Sequence, residues 1–153
     1  MFDGFAGPSA VSENLSGGLN VQLPVKTSKH AEFVDITSDV RDTVPAGFSG
    51  ICMVFCMHTT AGLTINENAD PSVVSDLLSE LERLVPWRNP EFRHMEGNSA
   101  AHVKSSLLGQ SVTVPVEDGH LVLGTWQGIY FCEFDGPRSR RVTVQLVGGL
   151  VKV

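Results

Sequence analysis

Most of the side chains capable of chemistry in this sequence fall in residues 92–109, FRHMEGNSAAHVKSSLLG. The segment contains two histidines, His94 and His102, together with three serines and one lysine. A neutral imidazole can coordinate a metal ion, transfer a proton near neutral pH or donate a hydrogen bond to a phosphate. The segment is therefore the first candidate for a functional site.

A short helix is expected to position these histidines. Asn98 or Ser99 is a favourable N-cap, and Gly109 is suited to the C-cap. Residues 100–108 between them have the composition for roughly two or three helical turns. His102 then lies in the first turn, where the helix dipole favours a neutral imidazole or a bound anion. Two interpretations stay open: a metal or phosphate site at the helix start, or histidines that hydrogen-bond only to their own loop.

Composition and charge limit the classes of function. The chain of 153 residues has single-domain size, and a hydrophobic content of 42% is sufficient for a core. Acidic residues outnumber basic ones by 17 to 11, which argues against a nucleic-acid or acidic-membrane partner. Because the longest apolar run, residues 51–57, is too short to cross a bilayer and no secretory signal pattern is present, we expect a cytoplasmic protein.

The remaining residues predict an α+β domain. Residues 1–18 are rich in Gly, Ser, Ala and Pro and predict a flexible extension, whereas residues 19–153 predict a single domain. Two main helices among six to eight strands, with Gly-rich turns, favour an antiparallel, β-sandwich-like core. Three cysteines in apolar, strand-like runs are expected to be reduced core thiols: Cys52, Cys56 and Cys132.

The pattern of apolar and polar residues predicts where the strands and helices lie. Residues 20–26 alternate like a strand with one solvated face, and residues 31–37 are expected to be their hairpin partner. Residues 50–57 are apolar on both faces, which indicates a strand buried on both sides or covered by a partner subunit. Further strands are expected around residues 63–65 and over residues 111–116, 120–124, 126–134 and 141–147. Residues 38–44 are assigned a short helix, and residues 66–70 are assigned a polar loop.

The main helix is expected between Asp70 and Pro86. Asp70 and Pro71 fit its N-cap and first position, and apolar residues recur at helical spacing along one face. That stripe is expected to pack on the core. No dinucleotide, phosphate-loop, HExxH, GxSxG or CxxC motif is present.

Three blocks of sequence resemble a known family. HTTAGLTINENADP, RHMEGNSAAHVKSSLLGQS and LGTWQGIYFCEFDGPRSRRV are similar, in order and spacing, to blocks of the YjbQ-like family, sometimes called secondary thiamine-phosphate synthase. The similarity runs from about residue 19 to residue 148. It implies a compact α+β fold with a β-sandwich-like core, association into homotrimers and a cleft where shared histidines gather.

The resemblance also implies roles for individual residues. The family's histidines correspond to His58, His94 and His102, which are expected to bind a divalent metal, either zinc or magnesium with a diphosphate substrate. The catalytic residues are expected to be Glu67, Lys104 and His102. The expected ligand- or phosphate-binding residues are Asn66, Asn98, Ser99, Ser105, Trp126, Gln127 and Arg138. His30 and His120 match no motif and are expected at the surface.

Three functions follow as hypotheses. The first is a thiamine-phosphate-synthase-like transferase acting on a small phosphorylated molecule at the histidine cleft. The second is a metal-dependent hydrolase of a small substrate, with Glu67 as general base. The third is a trimeric module that binds a metal or a small ligand without turnover.

Overall fold

The structure is a computed structural model that describes residues 12–13 and 18–148. This part of the chain forms nine strands and three helices, in the order β1 (Ser12–Glu13), β2 (Leu19–Lys26), β3 (Glu32–Asp35), α1 (Thr37–Arg41), β4 (Gly50–Cys56), β5 (Ala61–Glu67), α2 (Pro71–Leu84), α3 (Ser99–Leu108), β6 (Ser111–Glu117), β7 (His120–Leu121), β8 (Gln127–Glu133) and β9 (Ser139–Val147). Most of the expected extension over residues 1–18 lies outside the described residues. Within it, Ser12–Glu13 pairs with the beginning of β2.

The strands form two antiparallel sheets, which confirms the predicted sandwich-like core. The first sheet has six strands in the order β1-β2-β9-β4-β6-β7, and the second has three in the order β3-β8-β5. None of the helices in the described part of the chain has the length and hydropathy needed to span a bilayer.

Alternation along β8 explains how the layers are arranged. Ile129 and Phe131 face the large core between the two sheets. Tyr130 and Cys132 point the other way, into a smaller core shared with the helices. Because neighbouring residues of a strand face opposite sides, the three-stranded sheet is covered on both faces, and the molecule has three layers: six-stranded sheet, three-stranded sheet and helices.

The outer face of the six-stranded sheet is left open by this arrangement. Along β4, Cys52, Val54 and Cys56 are buried in the large core, whereas Ile51 is 46% exposed and Phe55 is 41% exposed. A single chain therefore buries only one face of the strand that the sequence predicts to be apolar on both faces. Within one chain, the expectation that both faces are buried is wrong.

The predicted hairpin between residues 20–26 and 31–37 is also wrong. β2 pairs with β9 along its full length on one side and with β1 at Leu19 and Asn20 on the other, and the described pairs of β2 do not include β3. β3 instead joins β8 in the other sheet, where Phe33 and Val34 contribute to different cores. The assigned polar loop begins later than expected, because Asn66 and Glu67 belong to β5.

The helices begin and end close to the predicted positions. Asp70 caps α2 by accepting a hydrogen bond from the Ser72 backbone N–H at 2.8 Å, and Pro71 is its first residue. The stripe of α2 is less buried than expected, since no residue of the helix is fully buried. Asn98 is the N-cap residue of α3 but makes no side-chain cap, and Gly109 ends the helix with φ of 95°. The three cysteines are free and buried, as predicted.

A buried ion pair joins the two sheets at one end of the sandwich. Arg140 of β9 donates from Nε to Glu133 Oε2 at 2.8 Å and from Nη2 to Glu133 Oε1 at 2.6 Å. Glu133, at the end of β8, is fully buried. Its carboxylate also accepts hydrogen bonds from the Thr27 hydroxyl and from the backbone N–H groups of Phe134 and Asp135. Both oxygens of the Glu133 carboxylate are thus hydrogen-bonded, which is the condition under which a buried charge is tolerated.

Replacement of Glu133 by alanine is expected to lower the free energy of unfolding by about 3–5 kcal/mol, because it leaves the Arg140 guanidinium buried without a negatively charged partner. Urea denaturation measures the loss. Glu80→Ala is the matched control, since it removes the carboxylate of the exposed Glu80–Arg83 pair, and it should leave the denaturation midpoint nearly unchanged. Equal midpoints for the two variants would contradict a structural role for the buried pair.

Acid is expected to weaken the same contact. Burial raises the pKa of Glu133, but hydrogen bonds from Arg140 and Asp135 outweigh it and hold the pKa below the ordinary value of 4.5. The stabilisation is therefore complete above that ordinary value and is lost as the pH falls through the lower pKa of the folded state. We expect the urea midpoint to fall as the pH is lowered below 4.5, and to fall less in Glu133→Gln. Equal pH dependence in both proteins would refute this assignment.

Candidate functional site

His58 lies just beyond β4, where the strand leaves the sheet. Its Nε2 accepts a hydrogen bond from the Arg141 backbone N–H at 3.1 Å, and its ring contacts Phe131 edge-on, with ring centroids 6.4 Å apart. Burial lowers the pKa of His58, and the nearby charge of Arg140 lowers it further. The ring is consequently held in its neutral form near neutral pH.

His94 and His102 are in contact with each other. Their ring centroids are 5.2 Å apart with an interplanar angle of 81°, an edge-to-face arrangement. His102 lies in the first turn of α3, as expected, and His94 lies in the segment that leads into that helix. Nε2 of His94 is 3.9 Å from the Glu96 carboxylate. The predicted approach of these two histidines to the start of α3 is therefore confirmed.

Two adjoining cavities share His102, and together they are called the histidine groove. The first, of about 510 Å³, contains His58 and His102 with Phe55 and Met57 on its wall. The second, of about 480 Å³, contains His94 and His102; its other lining residues are Phe92, Ser99 and Val103. The groove thus brings all three predicted histidines to one surface, with apolar side chains between them.

Ser105 holds the wall of this groove together. Its hydroxyl donates to the Thr59 carbonyl at 2.6 Å and lies 3.1 Å from the His102 carbonyl. Ser105 is almost completely buried. Its hydroxyl therefore connects α3 to the loop that carries His58, and its role in binding a phosphate stays a prediction.

Lys104 is directed away from the groove. Its ammonium group lies 2.5 Å from the carboxylate of Glu82 on α2, and the lysine is 4% exposed. A buried ammonium needs such a partner, and the ion pair joins the two main helices. Lys104 is not among the residues that line the two cavities, and its catalytic role stays a prediction.

Arg138 is paired with Asp135 near the beginning of α3. Its Nη2 lies 2.9 Å from Asp135 Oδ2, and the same carboxylate oxygen accepts a hydrogen bond from Asn98 Nδ2 at 3.1 Å. Asn98 Oδ1, in contrast, is the one buried side-chain oxygen or nitrogen in residues 18–148 that lacks a hydrogen-bond partner. The helix start therefore carries an acceptor that a water molecule or a ligand could satisfy.

A second group of predicted site residues lies at the far end of the three-stranded sheet. Asn66 and Glu67 end β5, where Glu67 pairs with Gln127 at the beginning of β8. Because β5 is seven residues long, its two ends are about 20 Å apart. Trp126 is 62% exposed beside Gln127. Within one chain, the sequence-predicted site therefore divides into the histidine groove and this distant cluster.

The residues do not fit the predicted metal site within a single chain. In the described residues, no three His, Cys, Asp or Glu side chains are grouped so as to hold a metal ion. Nε2 of His58 is already occupied by the Arg141 N–H, and Cys56 directs its thiol to the carbonyls of His58 and Ala61. Metal binding by His58, His94 and His102 thus remains a prediction that one chain does not support.

Sequence reasoning missed Glu133, Arg140 and Thr60, which fix the position of His58. Arg140 donates to Thr60 Oγ1 at 2.8 Å as well as to Glu133. One signal was available: Glu133 interrupts the apolar run IYFCEF in a strand that is covered on both faces. A carboxylate in such a strand requires a buried cation. His30 and His120 are exposed, as predicted.

Comparison with known proteins places the chain in a family. The family model described as "UPF0047 protein YjbQ-like" matches residues 21–149. The UPF0047 protein YugU of Bacillus subtilis is 53% identical over 128 residues, which are 82% of this chain and 97% of that protein. A UPF0047 protein of Methanocaldococcus jannaschii is 51% identical over 126 residues, which are 81% of this chain and 91% of that protein.

Solved structures share the fold. An uncharacterised protein of the YjbQ/UPF0047 family from Clostridium acetobutylicum is 49% identical and has a TM-score of 0.80. The match covers 83% of this chain and 99% of the Clostridium chain. The conserved hypothetical protein TT1486 from Thermus thermophilus is 46% identical, with a TM-score of 0.79 over 83% and 99% of the two chains. The chain belongs to the YjbQ/UPF0047 family, whose function is uncharacterised.

Proposed function

We propose that the chain binds a small phosphorylated molecule in the histidine groove and acts on it as a transferase of the thiamine-phosphate-synthase type. The observation that carries the proposal is the convergence of His58, His94 and His102 on two adjoining cavities at the N-terminal end of α3. Imidazole N–H groups and the free N–H groups of a helix start are suitable donors for a phosphate.

The size and lining of the groove fit a small molecule. Cavities of about 510 and 480 Å³ fall within the range of roughly 300–1,000 Å³ that is usual for ligand pockets. Phe55, Met57 and Phe92 supply apolar walls on which a flat heterocyclic ring could rest. The polar side chains of the lining are the three histidines together with Thr59, Ser99, Ser105, Ser106 and Gln110. The phosphate end of the ligand is assigned to the histidines.

The proposed reaction is a substitution at carbon. A bond forms between the ring nitrogen of a thiazole phosphate and the methylene carbon of a pyrimidine diphosphate. The bond from that carbon to the diphosphate oxygen breaks, and its electron pair leaves with pyrophosphate. Positive potential beside the leaving group lowers the barrier. The ring N–H groups of His94 and His102 and the α3 dipole are proposed to supply that potential, since Lys104 and Arg138 are already paired with carboxylates.

The metal-dependent hydrolase is less well supported. It requires three ligands and a nearby general base, but the described residues contain no such ligand group, and Glu67 lies at the opposite end of β5. A magnesium ion that enters bound to a diphosphate would need no ligand set of this kind. The third possibility, a binding module without turnover, shares the same groove and differs only in the absence of a reaction.

Expression of the chain is expected to restore growth without thiamine to a bacterial strain that lacks thiamine-phosphate synthase. His102→Ala should abolish this rescue, because it removes the imidazole shared by both cavities. His120→Ala is the matched control, since His120 is exposed on β7 outside the groove, and it should rescue as well as the unchanged chain.

Titration with pyrophosphate separates the remaining possibilities. Rescue together with binding supports the transferase, whereas binding that depends on His102 but gives no rescue supports the binding module. Absence of both from a well-expressed, folded chain contradicts the proposal.

Assembly into a homotrimer is also part of the proposal. The family resemblance predicts it, and the open face of the six-stranded sheet offers a surface for it: Ile51, Phe55, Met57 and Val147 are all at least 41% exposed there. Burying these side chains against another copy would remove a contiguous apolar strip from water. Phe55 and Met57 also line the histidine groove, so such an interface would adjoin the site.

Light scattering is expected to give about three times the mass of one chain for the unchanged protein and a smaller mass for Ile51→Asp, which puts a charge into the proposed interface. Leu84→Asp is the control, because Leu84 is exposed on α2, on the opposite side of the three-layered molecule. A monomeric mass for the unchanged chain, or equal effects of the two substitutions, would refute the assignment of this face.

A further inference from the structure

The ring of His58 lies just beyond the last main-chain hydrogen bonds between β4 and β9. β4 and β9 are paired as far as Cys56 and Val142. The preceding residue of β9, Arg141, donates its backbone N–H to His58 Nε2 at 3.1 Å. The imidazole therefore accepts a main-chain hydrogen bond beyond the last residue pair of the ladder.

This hydrogen bond identifies the protonated nitrogen of the ring. A backbone N–H can only donate, so Nε2 of His58 must carry its lone pair. In the neutral ring the proton is then on Nδ1, which has no acceptor within residues 18–148. A metal ion could bind Nε2 only by displacing the Arg141 N–H, and Nδ1 has no lone pair to offer in this tautomer. The ring is suited to donating a hydrogen bond from Nδ1.

The loop that carries His58 is held from inside the sandwich. Arg140 donates from Nη2 to the Thr60 hydroxyl at 2.8 Å, while the same guanidinium forms the buried pair with Glu133. The Thr60 carbonyl accepts from the Phe134 N–H at 3.2 Å. Arg140 and Arg141 are consecutive residues of β9, so one strand fixes the loop by a side chain and the ring by its main chain.

We propose that Arg140, acting through Thr60, is a positioning residue that keeps Nε2 of His58 hydrogen-bonded to the Arg141 backbone N–H. His58 then acts as a hydrogen-bond donor to the ligand and not as a metal ligand. The donor role rests on the proposed function, because it needs a phosphate or another acceptor in the groove. The tautomer and the exclusion of metal rest on the contacts of the folded chain alone.

Long-range proton–nitrogen correlation spectra of the full chain labelled with ¹⁵N test the tautomer. His58→Gln identifies the His58 ring signals by their loss. At about pH 8, where the ring is neutral, Nδ1 is expected to be protonated and Nε2 unprotonated, and excess Zn²⁺ should leave both signals in place. An Nε2–H tautomer, or loss of the His58 signals on addition of zinc, would overturn the proposal.

Thr60→Val tests the positioning role without breaking the buried ion pair. The substitution removes the hydroxyl that Arg140 contacts and keeps the shape of the side chain. We expect a mixture of His58 tautomers and pyrophosphate binding weakened by about tenfold, the usual effect of losing one well-placed hydrogen bond. Thr64→Val on β5 is the control, because the described residues include no side-chain hydrogen bond of Thr64, and it should change neither quantity.

The two proposals fail in different ways. If Thr60→Val keeps a single Nδ1–H tautomer and binds pyrophosphate as the unchanged chain does, the positioning role is wrong. If the unchanged chain binds no pyrophosphate, the proposed function and the donor role are wrong, whereas the spectra still decide the tautomer and the exclusion of zinc.

Discussion

The buried ion pair between Glu133 and Arg140 is the contact on which the rest of the structure depends. It joins the three-stranded sheet to the six-stranded sheet at one end of the core, where the Glu133 carboxylate is fully buried. Two charges in that position are acceptable only when their hydrogen bonds are satisfied, and here Thr27, Thr60 and two backbone N–H groups complete the set. Through Thr60 the same pair fixes the loop that carries His58, so stability and site geometry share one interaction.

The layered architecture separates two kinds of surface. The three-stranded sheet is covered on both faces, by the other sheet and by the helices. The six-stranded sheet is covered on one face only, and its open face carries apolar side chains along β4. The histidine groove lies at the border of that open face, since Phe55 and Met57 belong to both. Ligand binding and assembly would therefore be linked through the same strand.

Local signals predicted the parts of the fold that depend on nearby residues. The Asp70-Pro71 start of α2 and the Gly109 end of α3 follow from capping chemistry and backbone freedom, and both were placed correctly. The partner of β3 was predicted wrongly. Two short strands that follow each other favour a hairpin locally, whereas β2 pairs with β9 along its full length and β3 pairs with β8 in the other sheet. A contact between residues more than a hundred positions apart has no local signal.

By itself, the sequence determined the family, the sandwich-like class of fold and the three histidines as a group, since long motifs and strand alternation are properties of the chain. Only the tertiary structure decided which side chains are free to act. It directs Lys104 to Glu82, keeps Glu67 at the far end of β5 and turns Nε2 of His58 to the Arg141 N–H. The reason is physical: a buried charge or polar group takes the nearest partner in space, and proximity in space is set by how the layers pack.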